Sequence, residues 1–360
     1  MVRIKDIAKE ANVSEGTVDR VLHGRGGVSK KTADKINKIL ERRNFSINPV
    51  ASALATKNNH TIAVLIPEYS ETDSFWKLPY LGLLKASEDV KNIGLNVNYF
   101  KFDQYNSNSY MEAFTNLIKM KPSAVILVPM FLKETRVIIN ELKKAGTKYI
   151  FLNVDVEGED GSVYIGQDSY MSGYIAGKLM KLSLTDGYDC CIMQASTSTG
   201  DNQAIVKRIK GFKDYYTAIK EEIKLHELKV ESFGDEVKLA SSVTLFLEKF
   251  PNIKGIFVPS SRVSAVVKIL SEEQKESLQL IGFDNTPQNV VCLKNDTVLF
   301  LISQKPFDQG YEAVRLISDY LIKSKALKRK LYLPIDILTK ENVDYNDANQ
   351  LMFESDLKYQ

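Results

Sequence analysis

The sequence predicts an α/β protein in which a small all-α domain precedes two doubly wound parallel-sheet subdomains. The first observation is length, because 360 residues exceed what one ordinary hydrophobic core accommodates. The second is the alternation, from Thr61 onward, of short apolar runs with amphipathic segments, which is typical of buried parallel strands joined by helices. The third is a set of three short helical patterns within the first 46 residues.

The overall composition is that of an ordinary globular protein, with 44% hydrophobic and 26% charged residues. No apolar run approaches the ~20 residues that are needed to span a bilayer. The opening residues, “MVRIKDIAKEA”, are amphipathic and include acids, which is unlike a signal peptide. These features predict a cytoplasmic protein that does not contact the membrane.

The three cysteines do not form a disulfide pattern. Cys190 and Cys191 are neighbours in an apolar run, so on a strand they would point to opposite faces, and Cys292 stands alone. Buried free thiols are the expected result. The three histidines lack the spacing of metal ligands, and the sequence predicts neither a metal site nor a cofactor.

Charge is distributed unevenly along the chain. Residues 1–60 hold 12 Lys and Arg against 6 Asp and Glu, whereas the remaining 300 residues hold 36 against 39. A basic head on a slightly acidic body predicts that the head binds a polyanion.

The helical patterns of the head follow one another closely. Apolar residues share one face of a first helix over Ile4–Ala11, and Asn12 follows where a tight turn needs a positive φ. Ser14 is a suitable N-cap for a second helix of about residues 15–22, and Ser29 is one for a third helix. Two helices joined by a tight turn and closed by a third form the helix-turn-helix arrangement of DNA-binding domains.

The outer side of the second helix carries small and polar residues that let its backbone approach base edges. Arg20 can donate two hydrogen bonds to a guanine, and Ser14, Thr17 and Lys30 can reach phosphates. The candidate DNA-binding residues are Ser14, Glu15, Gly16, Thr17, Arg20, His23, Lys30 and, further on, Leu54. A solvated three-helix cap without DNA binding is the alternative, and the basic excess argues against it.

The glycine-rich run “HGRGGVSKKT” could be mistaken for a phosphate-binding loop. Such a loop follows a buried strand and has a lysine directly before the Ser or Thr that opens its helix. Here the run follows a helix and has the wrong spacing. We interpret it as a connector between the second and third helices.

The stretch “IKDIAKEANVSEGTVDRVL” resembles the DNA-binding head of the LacI family of bacterial repressors, which typically show a similar V-S-x-x-T-V-x-R core. The resemblance implies that Glu15 and Gly16 help to set the choice of operator. It also implies that “NPVASALATKNN” is a hinge helix that folds as two copies meet in the minor groove, with Leu54 as the wedge at a base step. Ser52 and Ala55 depart from the Arg or Lys that the family often has, and an ordinary linker is the alternative.

Polar and aromatic residues stand where the predicted strands of the body end, which is where ligands bind in such sheets. Phe75 and Trp76, the sequence's one tryptophan, offer a stacking wall for a sugar ring, and Arg208 lies on a helix after “IMQASTSTGDN”. Carboxylates and an arginine suit the vicinal hydroxyls of a neutral polyol. The alternatives are that each aspartate caps the next helix and that the two aromatic residues belong to the core.

The body also resembles the ribose-type periplasmic binding fold that LacI repressors share. The resemblance implies sugar contacts by Asp155, Arg208, Asp284 and Gln304. Val156 and the pair Ser260–Ser261 depart from the common pattern, which favours a ligand other than ribose. The candidate effector-binding residues are Asp73, Phe75, Trp76, Asp155, Asp168, Arg208, Ser260, Asp284 and Gln304.

The predicted domains follow from these segments. They are a helix-turn-helix domain at 1–46, a hinge and linker at 47–59, an effector-binding and dimerisation domain at 60–340 and a polar tail at 341–360. Within the third, we expect an N-subdomain of about 61–158 and 298–322, and a C-subdomain of about 159–297 and 323–340.

Together the features predict a transcription regulator that binds double-stranded operator DNA as a homodimer, with tetramers left open, under the control of a mono- or oligosaccharide. The alternative is a transport-type sugar-binding protein without DNA function, which the body would allow but the basic head does not. An enzyme is a third possibility. The sequence argues against it, because it lacks a strand followed by G-x-G-x-x-G, a Walker A motif and a Ser-His-Asp or Cys-His set.

Overall fold

The computed structural model describes residues 3–22, 26–43, 45, 60–70, 74–159, 163–185, 187–196, 202–220, 223–231, 233–327 and 330–346. The chain divides into two compact units, Met1–Asn58 and Asn59–Gln360. Four predictions lie wholly or largely outside the described residues. They are the hinge with Leu54, His23, Asp73 and the tail at 341–360.

The first unit is the predicted helical head, with α1 at Ile4–Ala11, α2 at Glu15–Leu22 and α3 at Lys30–Arg42. Asn12 has φ 55°, so it takes the left-handed conformation expected of it, and its amide donates to the last turn of α1. Ser29 accepts a hydrogen bond from the Thr32 amide and caps α3. The three helices enclose one small apolar cluster, whose buried members are Ile7, Ala8, Ala11, Val18, Ile36 and Ile39.

The second unit contains twelve strands among the described residues. They are β1 His60–Pro67, β2 Leu95–Phe102, β3 Ala124–Leu127, β4 Lys148–Leu152, β5 Val163–Gly166, β6 Asp189–Ala195, β7 Leu225–Val230, β8 Ile253–Phe257, β9 Gln279–Phe283, β10 Phe300–Ser303, β11 Lys330–Tyr332 and β12 Asp336–Leu338.

Helices alternate with these strands. They are α4 Lys77–Lys91, α5 Ser107–Lys119, α6 Leu132–Lys144, α7 Ser169–Ser183, α8 Gln203–Ile219, α9 Glu236–Lys249, α10 Val263–Ile269, α11 Glu272–Ser277, α12 Pro287–Lys294, α13 Pro306–Lys323 and α14 Val343–Asn346. Across the described ranges, no helix combines the length and the apolar character that a bilayer crossing requires.

The strands form two sheets of six. The N-terminal sheet has the order β11-β5-β4-β3-β1-β2 and is parallel throughout, and the C-terminal sheet has the order β12-β10-β9-β8-β6-β7. Only β12, at the edge of the C-terminal sheet, runs antiparallel to its neighbour among the described strands. The predicted doubly wound architecture with two sheets is confirmed.

The central strands are largely apolar, as expected of parallel strands that are buried on both faces. Residues 62–66 of β1 are fully buried. Cys190 and Cys191 of β6 belong to separate apolar clusters, as expected for strand neighbours that point to opposite faces. With Cys292 they are buried free thiols, which confirms the prediction.

The predicted subdomain boundaries are wrong at all three places where the chain crosses between the sheets. Strand β5 pairs with β4 in the N-terminal sheet, although it was expected in the C-subdomain. Strand β10 pairs with β9 in the C-terminal sheet, and β11 pairs with β5, so each also lies in the other subdomain than expected. The crossings therefore follow β5, β10 and β11. Which sheet a strand joins depends on its hydrogen bonds to strands that are distant in sequence. The apolar pattern of the strand itself does not predict this.

Candidate functional site

A cavity of about 1230 Å³ lies between the two sheets of the body. Its lining comes largely from the loops that follow strands β1 to β4 and β6 to β10, at the carboxyl ends of the strands, and in part from the helices after them. Its position matches the rule that ligands in open α/β sheets bind beyond these ends. The lining residues that matter below are Phe75, Trp76, Asn153, Arg208, Ser260, Asp284 and Gln304.

Arg208 is the buried cation of the cavity. It lies on α8 with only 4% of its surface exposed, and its Nη1 donates to the carbonyl oxygen of Pro259 at 2.9 Å. The guanidinium carbon is 4.0 Å from the ring centroid of Phe283, which provides a cation–π contact. Its Nε is buried and has no hydrogen-bond partner among the described residues. A buried donor without a partner is costly, so this N–H favours a ligand that can accept a hydrogen bond from it.

The position of Arg208 depends on the close contact between α7 and α8. Gly173 of α7 faces the backbone of Arg208, and a Cβ at that glycine would lie 1.9 Å from the Arg208 carbonyl oxygen. Any larger residue there would push α8 and its arginine away from α7.

Asp284 follows β9 directly and has a φ of 66°, in the left-handed region that aspartate tolerates better than most residues. Only 3% of it is exposed, and Gln304 Nε2 donates to its two carboxylate oxygens at 2.8 and 3.1 Å. Burial raises the pKa of Asp284 to about 6, although Arg208 and the Gln304 hydrogen bonds act in the opposite direction. The carboxyl group can therefore accept or donate hydrogen bonds near neutral pH.

Burial also lowers the pKa of the Arg208 guanidinium, against the attraction of Asp284. These two described side chains influence each other electrostatically but form no direct ion pair. Arg208 Nη1 donates to Pro259 and both Asp284 oxygens accept from Gln304, so a ligand here would add to hydrogen bonds that these groups already make.

Asn153 joins the two subdomains at the base of the cavity. Its Nδ2 donates to Gln304 Oε1 at 3.2 Å and to Gln309 Oε1 at 3.0 Å, and Gln309 Nε2 donates to the Gln304 carbonyl oxygen at 2.8 Å. The sequence analysis missed Asn153. It is the first residue after β4 and has a φ of 68°, so the signal was a polar residue immediately at a strand end.

Phe75 and Trp76 form the predicted aromatic wall. Their ring centroids are 4.9 Å apart at 79°, and Trp76 Nε1 donates to Gln104 Oε1 at 3.3 Å. Both rings line the cavity and both belong to the core of the N-terminal sheet. The two interpretations of this pair, as a ligand wall and as core, therefore do not exclude each other.

Two predicted ligand residues lie outside the lining of the cavity. Asp155 pairs with Lys330 at 2.8 Å and with Lys207 at 3.8 Å, because the chain turns at Asn153 and carries Asp155 past the cavity. Asp168 accepts from the Met171 amide at 3.0 Å and caps α7. For Asp168 the alternative of a helix cap is the one that the structure supports.

The described DNA-binding candidates lie at the N-cap of α2, on α2 and at the first residue of α3; Thr17 is half-buried and the others are exposed. Ser14 Oγ accepts from the Thr17 amide at 3.2 Å and so caps α2, while Glu15, Arg20 and Lys30 are exposed. The nearest atom to a Cβ at Gly16 would be Ser14 Oγ at 3.9 Å. Packing therefore does not require a glycine there, although glycine costs about 1 kcal/mol within a helix.

In the comparison with known proteins, the two units match two different families. Residues 3–48 match the family described as bacterial regulatory proteins, lacI family. The head is a LacI-type DNA-binding domain. Residues 62–325 match the family described as periplasmic binding protein domain, and the chain belongs to that family. The predictions of a DNA-binding regulator and of its fold are confirmed, and the LacI-type head argues against a transport protein.

Relatives match nearly the whole chain. The catabolite control protein A of Staphylococcus epidermidis is 26% identical over 348 residues, covering 92% of this chain and 96% of that protein. The ribose operon repressor of Lactococcus lactis is 24% identical over 350 residues, covering 95% and 98%. A Bacteroides fragilis protein assigned as a LacI transcriptional regulator superposes with a TM-score of 0.74 at 26% identity, over 80% of this chain and 99% of that one.

Proposed function

We propose that this LacI-type regulator binds a neutral sugar or similar polyol between Arg208 and Asp284, and that the bound ligand changes its affinity for operator DNA. The observation that carries the proposal is a buried arginine with an unpartnered Nε near a buried carboxyl group, inside a cavity with an aromatic wall. Vicinal hydroxyls suit this set, because each hydroxyl both donates and accepts.

The ligand would contact both subdomains. Phe75, Trp76 and Asn153 come from the N-terminal sheet and its loops, whereas Arg208 and Asp284 come from the C-terminal one. A ligand that binds both sets favours the closed cleft, and this difference in affinity between open and closed states is what can shift a regulator.

The ligand class is supported by chemistry rather than by one relative's name. The ribose operon repressor is named for ribose, yet this chain has Val156 and Ser260 where a charged or amide side chain is common in the family. The cavity volume of about 1230 Å³ exceeds the ~300–1,000 Å³ of typical small-molecule pockets. We therefore favour a disaccharide or a substituted sugar over free ribose.

On the DNA side, we propose a homodimer that binds a pseudo-palindrome with half-sites about one helical turn, ~10 bp, apart. Arg20 would read a base and Ser14, Thr17 and Lys30 would contact phosphates. Leu54 as the minor-groove wedge rests on the family resemblance alone. Such a regulator acts on chromosomal DNA in the cytoplasm, and we assign no catalytic step to its cleft.

A thermal-shift screen of monosaccharides and short oligosaccharides against the full chain tests the proposed ligand. A specific sugar stabilises by mass action, by ~2.7 kcal/mol at a hundredfold excess over its Kd. We expect Arg208→Ala to abolish this shift while operator binding remains normal. Lys210→Ala changes an exposed position on the same helix, whose ammonium pairs with Asp214 and lies 5.0 Å from the ring centroid of Tyr170 on α7, and serves as the matched control.

Two results would contradict the proposal. The first is that Arg208→Ala retains the wild-type shift with the sugar identified, which would place the ligand elsewhere. The second is that no sugar shifts the wild-type protein, which would favour control by another class of molecule.

A further inference from the structure

A tyrosine and an arginine bridge the mouth of the cleft. Arg262 Nη2 donates to Tyr105 Oη at 2.7 Å. Tyr105 lies between β2 and α5 on the N-subdomain, and Arg262 lies directly before α10 on the C-subdomain. Both residues line the cavity and Tyr105 is exposed, so this hydrogen bond joins the subdomains at the rim of the ligand site.

A second polar contact joins the same two subdomains outside the cavity. Lys207 of α8 lies 3.1 Å from Glu157 and 3.8 Å from Asp155, both of which follow β4 in the N-subdomain. Asp155 is also held by Lys330 of β11 at 2.8 Å, which fixes the acidic side of the contact. Lys207 therefore pairs across the cleft although the adjacent Arg208 faces into it.

The loops that carry the tyrosine and the arginine are both firmly held. On the C-subdomain, fully buried Asn289 donates to the Ser261 carbonyl oxygen at 3.1 Å and accepts from the Ser264 amide at 3.1 Å, one on each side of Arg262. On the N-subdomain, the Tyr105 amide donates to Asp103 Oδ1 at 2.9 Å.

The preceding residue, Gln104, accepts a hydrogen bond at its Oε1 from Trp76 Nε1. Side chains presented by such braced loops lose less conformational entropy when they meet.

We propose that the Tyr105–Arg262 hydrogen bond and the Lys207 ion pairs act as a latch that stabilises the closed cleft independently of the ligand, so that part of the population is closed before a ligand completes the shift. Neither contact uses the cation and the carboxyl group that face the ligand, so neither needs a ligand to form. Effector then enters only the molecules whose cleft is open, and its apparent affinity falls in proportion to that fraction. The proposal concerns the protein without effector and does not depend on the effector being a sugar.

The one tryptophan of the sequence, Trp76, reports opening directly, because only 3% of it is exposed and it lines the cleft. The test is the rate at which dilute N-bromosuccinimide oxidises Trp76 in the full chain, followed by the loss of tryptophan fluorescence. When opening is fast relative to the chemistry, this rate follows the open population.

We expect Tyr105→Phe, Arg262→Gln and Lys207→Gln each to speed oxidation by about threefold to tenfold, since each removes a partly exposed charged contact. The double variant Tyr105→Phe/Arg262→Gln should react no faster than the faster single variant, because both changes remove one bond. Adding Lys207→Gln to either should multiply the rate.

Two matched variants control for surface effects. Tyr188→Phe changes another exposed tyrosine that lies outside the cavity lining, and Lys210→Gln removes an ion pair within α8. Both should oxidise at the wild-type rate, with unchanged circular dichroism and thermal midpoints in all variants.

Wild-type rates in Arg262→Gln and Lys207→Gln would overturn the latch. An increase confined to Tyr105→Phe would overturn it too, because that result means local exposure of the neighbouring indole.

Discussion

In the head, Glu15, Gly16 and Arg20 lie on the surface of helices that one small apolar cluster holds together. In the body, Arg208 and Asp284 are buried between two sheets, and their hydrogen bonds come from residues far away in the chain. The first arrangement suits a large polyanion that arrives from outside, where surface donors are sufficient. The second suits a small ligand that must be enclosed before its hydroxyl groups can be distinguished from water.

This difference has an energetic consequence. Surface residues such as Arg20 can be optimised for DNA with little effect on folding, because substitutions at exposed positions usually change stability by less than ~0.5 kcal/mol. Buried polar groups cannot be optimised for a ligand in this way, since removing them from water opposes folding unless partners compensate. In the head, a substitution should therefore change DNA binding without changing stability, whereas in the cleft a substitution that raises stability should weaken ligand binding.

Asp284→Asn is the variant with the largest expected effect, because it should raise stability while it removes the ligand response. The pKa of Asp284 is raised from its ordinary value near 3.8 to about 6, so the native state favours the protonated carboxyl. Its contribution to stability is complete below about pH 3.8 and is lost as the pH rises through about 6. A pKa shift of about two units corresponds to roughly 2–3 kcal/mol of the free energy of unfolding.

The variant should therefore unfold at a higher temperature than wild type at about pH 8, with the difference shrinking toward about pH 4. Scanning calorimetry at several pH values measures this. The ligand response should be lost at the same time. Asp168→Asn, which removes a half-buried carboxylate outside the cavity lining, is the control and should leave the ligand response intact. A pH-independent difference between Asp284→Asn and wild type would contradict the assignment.

Arg20→Ala is the corresponding change in the head. It should weaken operator binding by about 1–3 kcal/mol and relax specificity at one base pair, because a bidentate contact to a guanine is lost. The thermal stability of the protein should be unchanged, since Arg20 is exposed. Gel-shift titrations against operator and random DNA measure both quantities, with exposed Lys38→Ala of α3 as the control. If both DNAs lose affinity equally, Arg20 contacts only phosphate.

Gly16→Ala has the smallest expected free-energy change of the three variants and is the sharpest test of the comparison. Alanine at an open helical position should stabilise the head by about 0.5–1 kcal/mol. Operator affinity should nevertheless fall, because the added methyl group keeps the α2 backbone from the base edges. Thermal unfolding and gel-shift titration of one preparation give both values. Stronger operator binding by the variant would show that α2 does not approach the bases through Gly16.

The extent of prediction from sequence differs between the two regions for a physical reason. The turn at Asn12, the cap at Ser29 and the apolar faces of the head helices depend on residues within a few positions of each other, and all were predicted. The cleft depends on contacts such as Asn153 with Gln309, which are distant in sequence. Strand ends identified Arg208, Asp284 and Gln304 but could not tell which of Asn153 and Asp155 faces the cavity.

The sequence by itself determined the helix-turn-helix head, the alternation of strands and helices in the body and most of the residues at the strand ends, because periodicity and capping are local properties. Only the tertiary structure decided where the chain crosses between the sheets, since strand pairing depends on hydrogen bonds between distant segments. It also decided that Asp155 pairs with lysines instead of facing the cavity, and that Tyr105 meets Arg262 across the cleft. Each of these depends on two subdomains being brought together, and no single segment carries that information.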